Sequence, residues 1–223
     1  MPTPILPRRA AMRLFPPRRV SGLLLLLAFV LNLGGVVMYA AGTEYGWVGE
    51  TPTYHAWERA LFMSSYAAAA LGTAVLEPAL AEAGAAILGR LAAVAFPMAA
   101  SVALVMEAVG MDGAEPYALI VVAVLLLFGA EALLGAAVLA SRLVPAWVGW
   151  VAVVWNVAWP AILPIVSPGD PYYPILHAIP LLMIGIPLIQ PGRQLSSPAG
   201  ATASPVSGVM NVPDGNLRPG PSA

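Results

Sequence analysis

Glu131 is the residue whose position most demands a chemical explanation. It sits inside the apolar run 125–134, with no basic residue one helical turn away. An ionisable group at the centre of a membrane-crossing helix costs about 2.5–3.5 kcal/mol on insertion scales, and such groups mark proton and ion pathways. A carboxyl group there must pair, face water or carry a proton. Asn32 and Asn156 lie in two other apolar runs at a similar expected depth. An amide donates to a carboxylate and accepts from a carboxylic acid, so both suit Glu131 as partners. One reading makes the three a proton or cation site. The other makes them separate hydrogen bonds that tie helices together.

A second group is expected nearer the outer face. Glu107 falls near the outer end of the third apolar run, and His177 near the start of the sixth. A histidine–carboxylate pair exchanges protons near neutral pH, so the two are candidate partners. With His55, Glu58 and Arg59 they would line an outer vestibule. Two histidines and a carboxylate suit a metal ion, and an outward-facing haem or metal binder is the weaker alternative. The histidines have no motif spacing, so no metal site and no cofactor is assigned.

Catalysis has less support. Ser64 and Ser65 have no histidine in their own or an adjacent apolar run, and no metalloprotease, nucleophile-elbow or paired-Asp motif occurs. The chain lacks Cys, and its ten basic residues are all Arg. That removes thiolate chemistry, Lys Schiff bases and the P-loop. The reading is therefore not an enzyme.

These groups need elements to hold them. The chain has 223 residues, 60% hydrophobic and 9% charged. Soluble domains carry about 25% charged residues, so lipid must solvate much of this surface. Six continuous apolar stretches, residues 20–41, 60–76, 91–109, 117–140, 145–166 and 172–189, each approach the ~20 residues that cross a bilayer as a helix. The expected fold is all-α, a polytopic six-helix transmembrane bundle. A basic segment, 1–19, precedes the membrane domain, 20–190. A Pro-, Gly- and Ser-rich tail, 191–223, is expected to be disordered.

Arg placement orients the bundle. Arg8, Arg9, Arg13, Arg18, Arg19, Arg90, Arg142, Arg193 and Arg218 all fall on one face of a six-span protein. By the positive-inside rule that face is cytoplasmic, with both termini. The opposite gaps hold Glu44, Glu50, Glu58, Asp112, Glu115 and Asp170, with Arg59 the basic exception. Tyr45, Trp47, Tyr54, Trp57, Tyr117, Trp147, Trp150, Tyr172 and Tyr173 cluster where interfacial rings sit. The first apolar run exceeds a signal-peptide core and lacks a small-residue cleavage site, so it is read as a retained span.

Finer features set the packing. Residues 54–59 suit an interfacial helical turn leading into the second span, and Glu77-Pro78 punctuates that span's end. Pro97, Pro160, Pro164, Pro180 and Pro187 lie inside spans, where each removes a backbone donor and permits a bend. Ala68 with Gly72, and Ala132 with Ala136 and Ala140, have the spacing of close helix contacts.

The segment Arg142-Leu-Val-Pro-Ala-Trp-Val-Gly-Trp150 resembles a tight cytoplasmic hairpin of small uncharacterised bacterial multi-pass membrane proteins. There an Arg precedes a Pro-x-Trp-x-Gly opening of the next span. The resemblance implies a family of unknown function and transfers no active site.

The leading expectation is a transport-like bundle for protons or small solutes, or a solute sensor, built on Glu131. The alternative is a non-catalytic scaffold or accessory subunit. Expected surroundings are the lipid bilayer, with a homo-oligomer or a membrane-protein partner both open, and no nucleic acid.

Overall fold

The computed structural model describes residues 16–44, 46–47, 49, 51–111, 117–166 and 173–190. The tail 191–223, the basic residues Arg8, Arg9, Arg13, Arg193 and Arg218, and Tyr45, Glu50, Asp112, Glu115, Asp170 and Tyr172 lie outside them, as does the side chain of Glu44.

The described residues form six α-helices: α1 Pro17–Tyr39, α2 Pro52–Glu82, α3 Ala86–Met111, α4 Tyr117–Ser141, α5 Ala146–Val166 and α6 Pro174–Ile189. A π-helical turn, Ala40–Glu44, extends α1. The described residues contain no strand. The first five helices are long and apolar enough to cross a membrane, as expected of a multi-pass membrane protein. Large apolar side chains such as Val30, Ile87, Val94, Val157 and Ile165 point outward. That much apolar surface is unsuited to water and suits lipid.

Each helix packs against its neighbour in sequence, and α1 also packs along α6. Contact between α5 and α6 is much slighter. Close approaches occur where side chains are small, because lipid competes with any apolar surface and tight packing must supply the attraction. A Cβ on Gly35 would lie 2.7 Å from Phe62, and one on Gly149 2.6 Å from the Leu139 Cβ. Gly72 meets Leu24 and Leu25 as its spacing predicted, with Ala68 also buried. On α4 the close contact differs from expectation. Gly135 meets Ala152 and Val153, whereas Ala140 is exposed and Ala132 and Ala136 are half-buried. Glycine permits closer backbone approach than alanine, so the Gly135 stripe wins.

Two helices depart from the expected spans. α2 has 31 residues, ~46 Å long, well beyond a ~30 Å hydrocarbon core. Residues 54–59 form its first turns, opened by Thr51, whose hydroxyl accepts from the Tyr54 N–H. Glu77-Pro78 does not end the helix, which runs on to Glu82; Ala83 and Gly84, with φ +87°, then form the turn. α6 has only 16 residues, ~24 Å, and begins at Pro174. Proline suits that first position because the N–H it lacks would have no intrahelical partner.

Arg18, Arg90 and Arg142 share one end of this antiparallel ring. Arg18 there ties three elements together. Its guanidinium donates to the Leu143 carbonyl in the α4–α5 turn at 2.7 Å and to the Pro187 carbonyl in the last turn of α6 at 3.3 Å. Arg142 adopts φ 54°, the left-handed conformation that closes the turn.

Candidate intramembrane polar site

The α4–α5 hairpin sets the register of the central polar groups. Gly149 contacts Leu139, and Gly135 contacts Ala152 and Val153. Carrying this antiparallel register one turn further brings Glu131 opposite Asn156. Both continue the contact stripes, Glu131 one turn from Gly135 and Asn156 one turn from Ala152. Both are buried.

α6 adds the third member. His177 Nδ1 lies 3.5 Å from Glu131 Oε1, with each side chain at most 3% exposed. Phe128, one turn before Glu131 on α4, lies against the imidazole at 4.3 Å between ring centroids. His177 had been expected near the outer end beside Glu107. The structure pairs it with Glu131 instead, because the first turn of α6 sits level with the middle of α4.

Asn32 is buried on the α1 stripe of Leu25, Ala28 and Gly35. That stripe packs on α2, where Gly72 meets Leu25, Ser65 donates to the Ala28 carbonyl and Phe62 meets Gly35. Among the described residues, the contacts of α1 do not bring Asn32 to Glu131.

These groups are incompletely satisfied. Glu131 Oε2, His177 Nδ1, Asn156 Oδ1 and Asn32 Oδ1 are buried and make no hydrogen bond. The contact of His177 with Glu131 is thus an ion-pair approach without hydrogen-bond alignment. The Asn156 amide nitrogen donates to the Ala152 carbonyl of its own helix at 2.8 Å, which turns its oxygen toward no protein donor. Buried polar atoms are nearly always paired, and leaving one unpaired costs about 1–3 kcal/mol. Glu131 Oε2 and His177 Nδ1, on side chains 3.5 Å apart at their nearest atoms, mark a place where this bundle accepts a cost. α5 carries no ionisable residue and α6 none besides His177, so Glu131 supplies the negative charge of this layer from these three helices.

A second cluster gathers at the end opposite Arg18. The Arg59 guanidinium donates to Glu107 Oε2 at 2.7 Å and lies 3.9 Å from Glu58 Oε1. Glu58 Oε2 is 3.9 Å from His55 Nδ1, and the Tyr66 hydroxyl reaches Glu107 Oε1 at 3.5 Å. Of the expected vestibule, His55, Glu58, Arg59 and Glu107 come together on α2 and α3, and His177 does not join them. Glu58 and Glu107 are buried, while His55 and Arg59 are partly open. His55 and His177 each lie beside a different carboxylate. Among the described residues no group of three His, Asp or Glu side chains has metal-binding geometry.

Tyr66, Phe128 and Trp155 were missed as partners in the sequence. Trp155 had a readable signal. Pro180 stands four residues after Leu176 and lacks the N–H that would bond the Leu176 carbonyl. The Trp155 indole N–H donates to that carbonyl at 2.9 Å and links α5 to α6. Trp155 also packs edge-on against Trp159, and a satellite apolar cluster of Val124, Phe128, Leu163 and Leu176 surrounds them.

No protein-family model, curated protein or solved structure matches the chain.

Proposed function

We propose that this chain is a bacterial plasma-membrane protein, with both termini cytoplasmic, that binds a proton or small cation at Glu131 in a transport-like or solute-sensing cycle. The observation that carries the reading is the Glu131–His177 pair, 3.5 Å apart and buried, with unbonded polar atoms on both members. A carboxylate and an imidazole in contact can share and pass a proton, and intramembrane pairs of this kind mark such pathways. A group serving only to tie helices would be expected to satisfy its hydrogen bonds. Asn156 would orient the carboxyl group or accept from its proton.

The orientation rests on Arg18, Arg19, Arg90 and Arg142 at one end of the bundle, which the positive-inside rule assigns to the cytoplasm. Reporter fusions should read the outer side at Gly49 and the cytoplasm at Ala140. The reverse result at either position overturns it.

Carbodiimide labelling of the purified protein across pH, resolved by peptide mass at Glu131, tests the function. Labelling that changes with pH, together with a Glu131→Gln variant that folds normally, supports a working site. No labelling at any pH, with a Gln variant as stable as the wild type, removes the proposal and leaves a scaffold in which these residues join helices.

A further inference from the structure

The seam between α5 and α6 is where neighbouring helices of this bundle touch least. On α5 a groove of about 420 Å³ runs from Trp150 to Ile162, past Val154, Trp155, Ala158 and Trp159. Trp155 ties groove and seam together: its ring lines the groove, and its indole N–H bonds Leu176 of α6. The lining is almost wholly apolar, and the volume is that of a small-ligand pocket. The helix rises ~18 Å from Trp150 to Ile162, a little over half of a ~30 Å hydrocarbon core.

Positive charge lies at one end of the groove. Trp150 stands one turn into α5. The α4–α5 turn before it carries exposed Arg142 and then Leu143, whose carbonyl takes the Arg18 guanidinium at 2.7 Å. The second bond of Arg18, to the Pro187 carbonyl, sets that guanidinium across the same seam, between the last turn of α6 and the entry to α5. Both acceptors are neutral, and Arg18 Nε is buried without a partner. Arg59 and Arg90 each lie against a carboxylate, whereas among the described residues Arg18 and Arg142 do not. Along α5, exposed Trp147 and Trp150 come between the charge and the groove, where indoles meet lipid headgroups.

An apolar channel half a bilayer deep with unpaired cations at its mouth complements an acyl chain hung from an anionic headgroup. The guanidinium fork matches phosphate oxygens, and basic pockets between helix ends recognise anionic lipids in this way. A second copy fits less well, because two-fold docking of this face about the membrane normal would turn the unpaired Arg142 charges toward each other. We infer that this groove binds one anionic phospholipid, with its phosphate at Arg18 and Arg142 and an acyl chain along α5, covering the seam where α5 and α6 barely touch.

Tryptophan quenching by lipids with brominated acyl chains tests it. The full-length protein is reconstituted in phosphatidylcholine vesicles containing a rising fraction of brominated phosphatidylglycerol or brominated phosphatidylcholine. A second preparation carries Trp47→Phe and Trp57→Phe, so that only Trp147, Trp150, Trp155 and Trp159 report. Brominated phosphatidylglycerol should quench saturably at low fraction, with an apparent affinity about fivefold above that of brominated phosphatidylcholine. Ala158→Phe fills the groove and should weaken quenching by both lipids. Arg142→Asn, whose new side chain tolerates the left-handed turn, should narrow the preference. The wild-type comparison needs neither variant to fold. Equal quenching by the two lipids would mean ordinary bilayer contact and would overturn the inference. Quenching by neither, the result expected if a second copy covers this face, would do the same. A preference that survives in an Arg18→Gln, Arg142→Asn double variant would put the headgroup elsewhere and overturn it as well.

Discussion

Trp155→Phe is the most informative single perturbation of this bundle. The substitution keeps an aromatic ring near Trp159 and the satellite apolar cluster but removes the indole donor, which now bonds the Leu176 carbonyl at 2.9 Å. Pro180 cannot take over, because it has no N–H to give the carbonyl four residues before it. An orphaned buried carbonyl costs about 1–3 kcal/mol in soluble proteins, while interhelical hydrogen bonds in membranes average about 0.6 and reach about 1.7 kcal/mol. The expected loss is therefore about 1–1.5 kcal/mol, roughly a tenfold change in the unfolding equilibrium. α5 and α6 touch so little elsewhere that this bond should carry much of their association. Pro180→Ala restores the missing N–H, and the Leu176 carbonyl can then be satisfied within α6. In that background Trp155→Phe should cost about 0.5 kcal/mol or less, since the double-mutant cycle cancels what Pro180→Ala does to the helix by itself. The assay is reversible unfolding in mixed micelles for all four proteins. Equal costs of Trp155→Phe with and without Pro180 would refute the reasoning, because the carbonyl's lost partner would then not be the cause.

Three further perturbations test the other contacts. Arg59→Gln removes the 2.7 Å partner of a fully buried carboxylate and should destabilise by about 3 kcal/mol, with partial recovery in the Arg59→Gln, Glu107→Gln double variant; additive losses in the same unfolding assay would argue against a coupled pair. Gly149→Val drives a side chain into Leu139, where even a Cβ lies 2.6 Å from its neighbour, and should cost about 1–3 kcal/mol or abolish folding. The same change at Gly129, where a Cβ meets nothing within 4 Å, should be tolerated, and equal effects at both sites would overturn the packing argument. Arg18→Ala frees the carbonyls of Leu143 and Pro187 and should loosen that end of the bundle by about 1.5–3 kcal/mol, read as faster amide exchange in the α4–α5 turn; unchanged exchange there would show that Arg18 holds nothing.

Several features of this protein were determined along the chain. Continuous apolar runs can be satisfied in lipid only as helices, so the all-helical bundle follows from composition and periodicity. The alternation of Arg-bearing and acidic gaps follows from the same linear order. Glu131, Asn32 and Asn156 stood out because a polar side chain in an apolar run needs no partner to be conspicuous. All three are buried in the fold.

Pairing was decided only in three dimensions. The sequence offered Glu107 to His177 by depth, yet the first turn of α6 lies beside the middle of α4 and sets His177 against Glu131, while Arg59 reaches Glu107 from α2. Depth depends on where each helix starts within the bundle, and periodicity along one helix does not encode that. Lateral neighbours depend on which stripes interlock. Gly135 and Gly149 fixed the α4–α5 register at the expense of the equally plausible Ala132–Ala136–Ala140 stripe, because the closest backbone approach wins where lipid denies helices a hydrophobic drive. The sequence determined which groups the membrane would find costly, and tertiary packing decided which of them face one another.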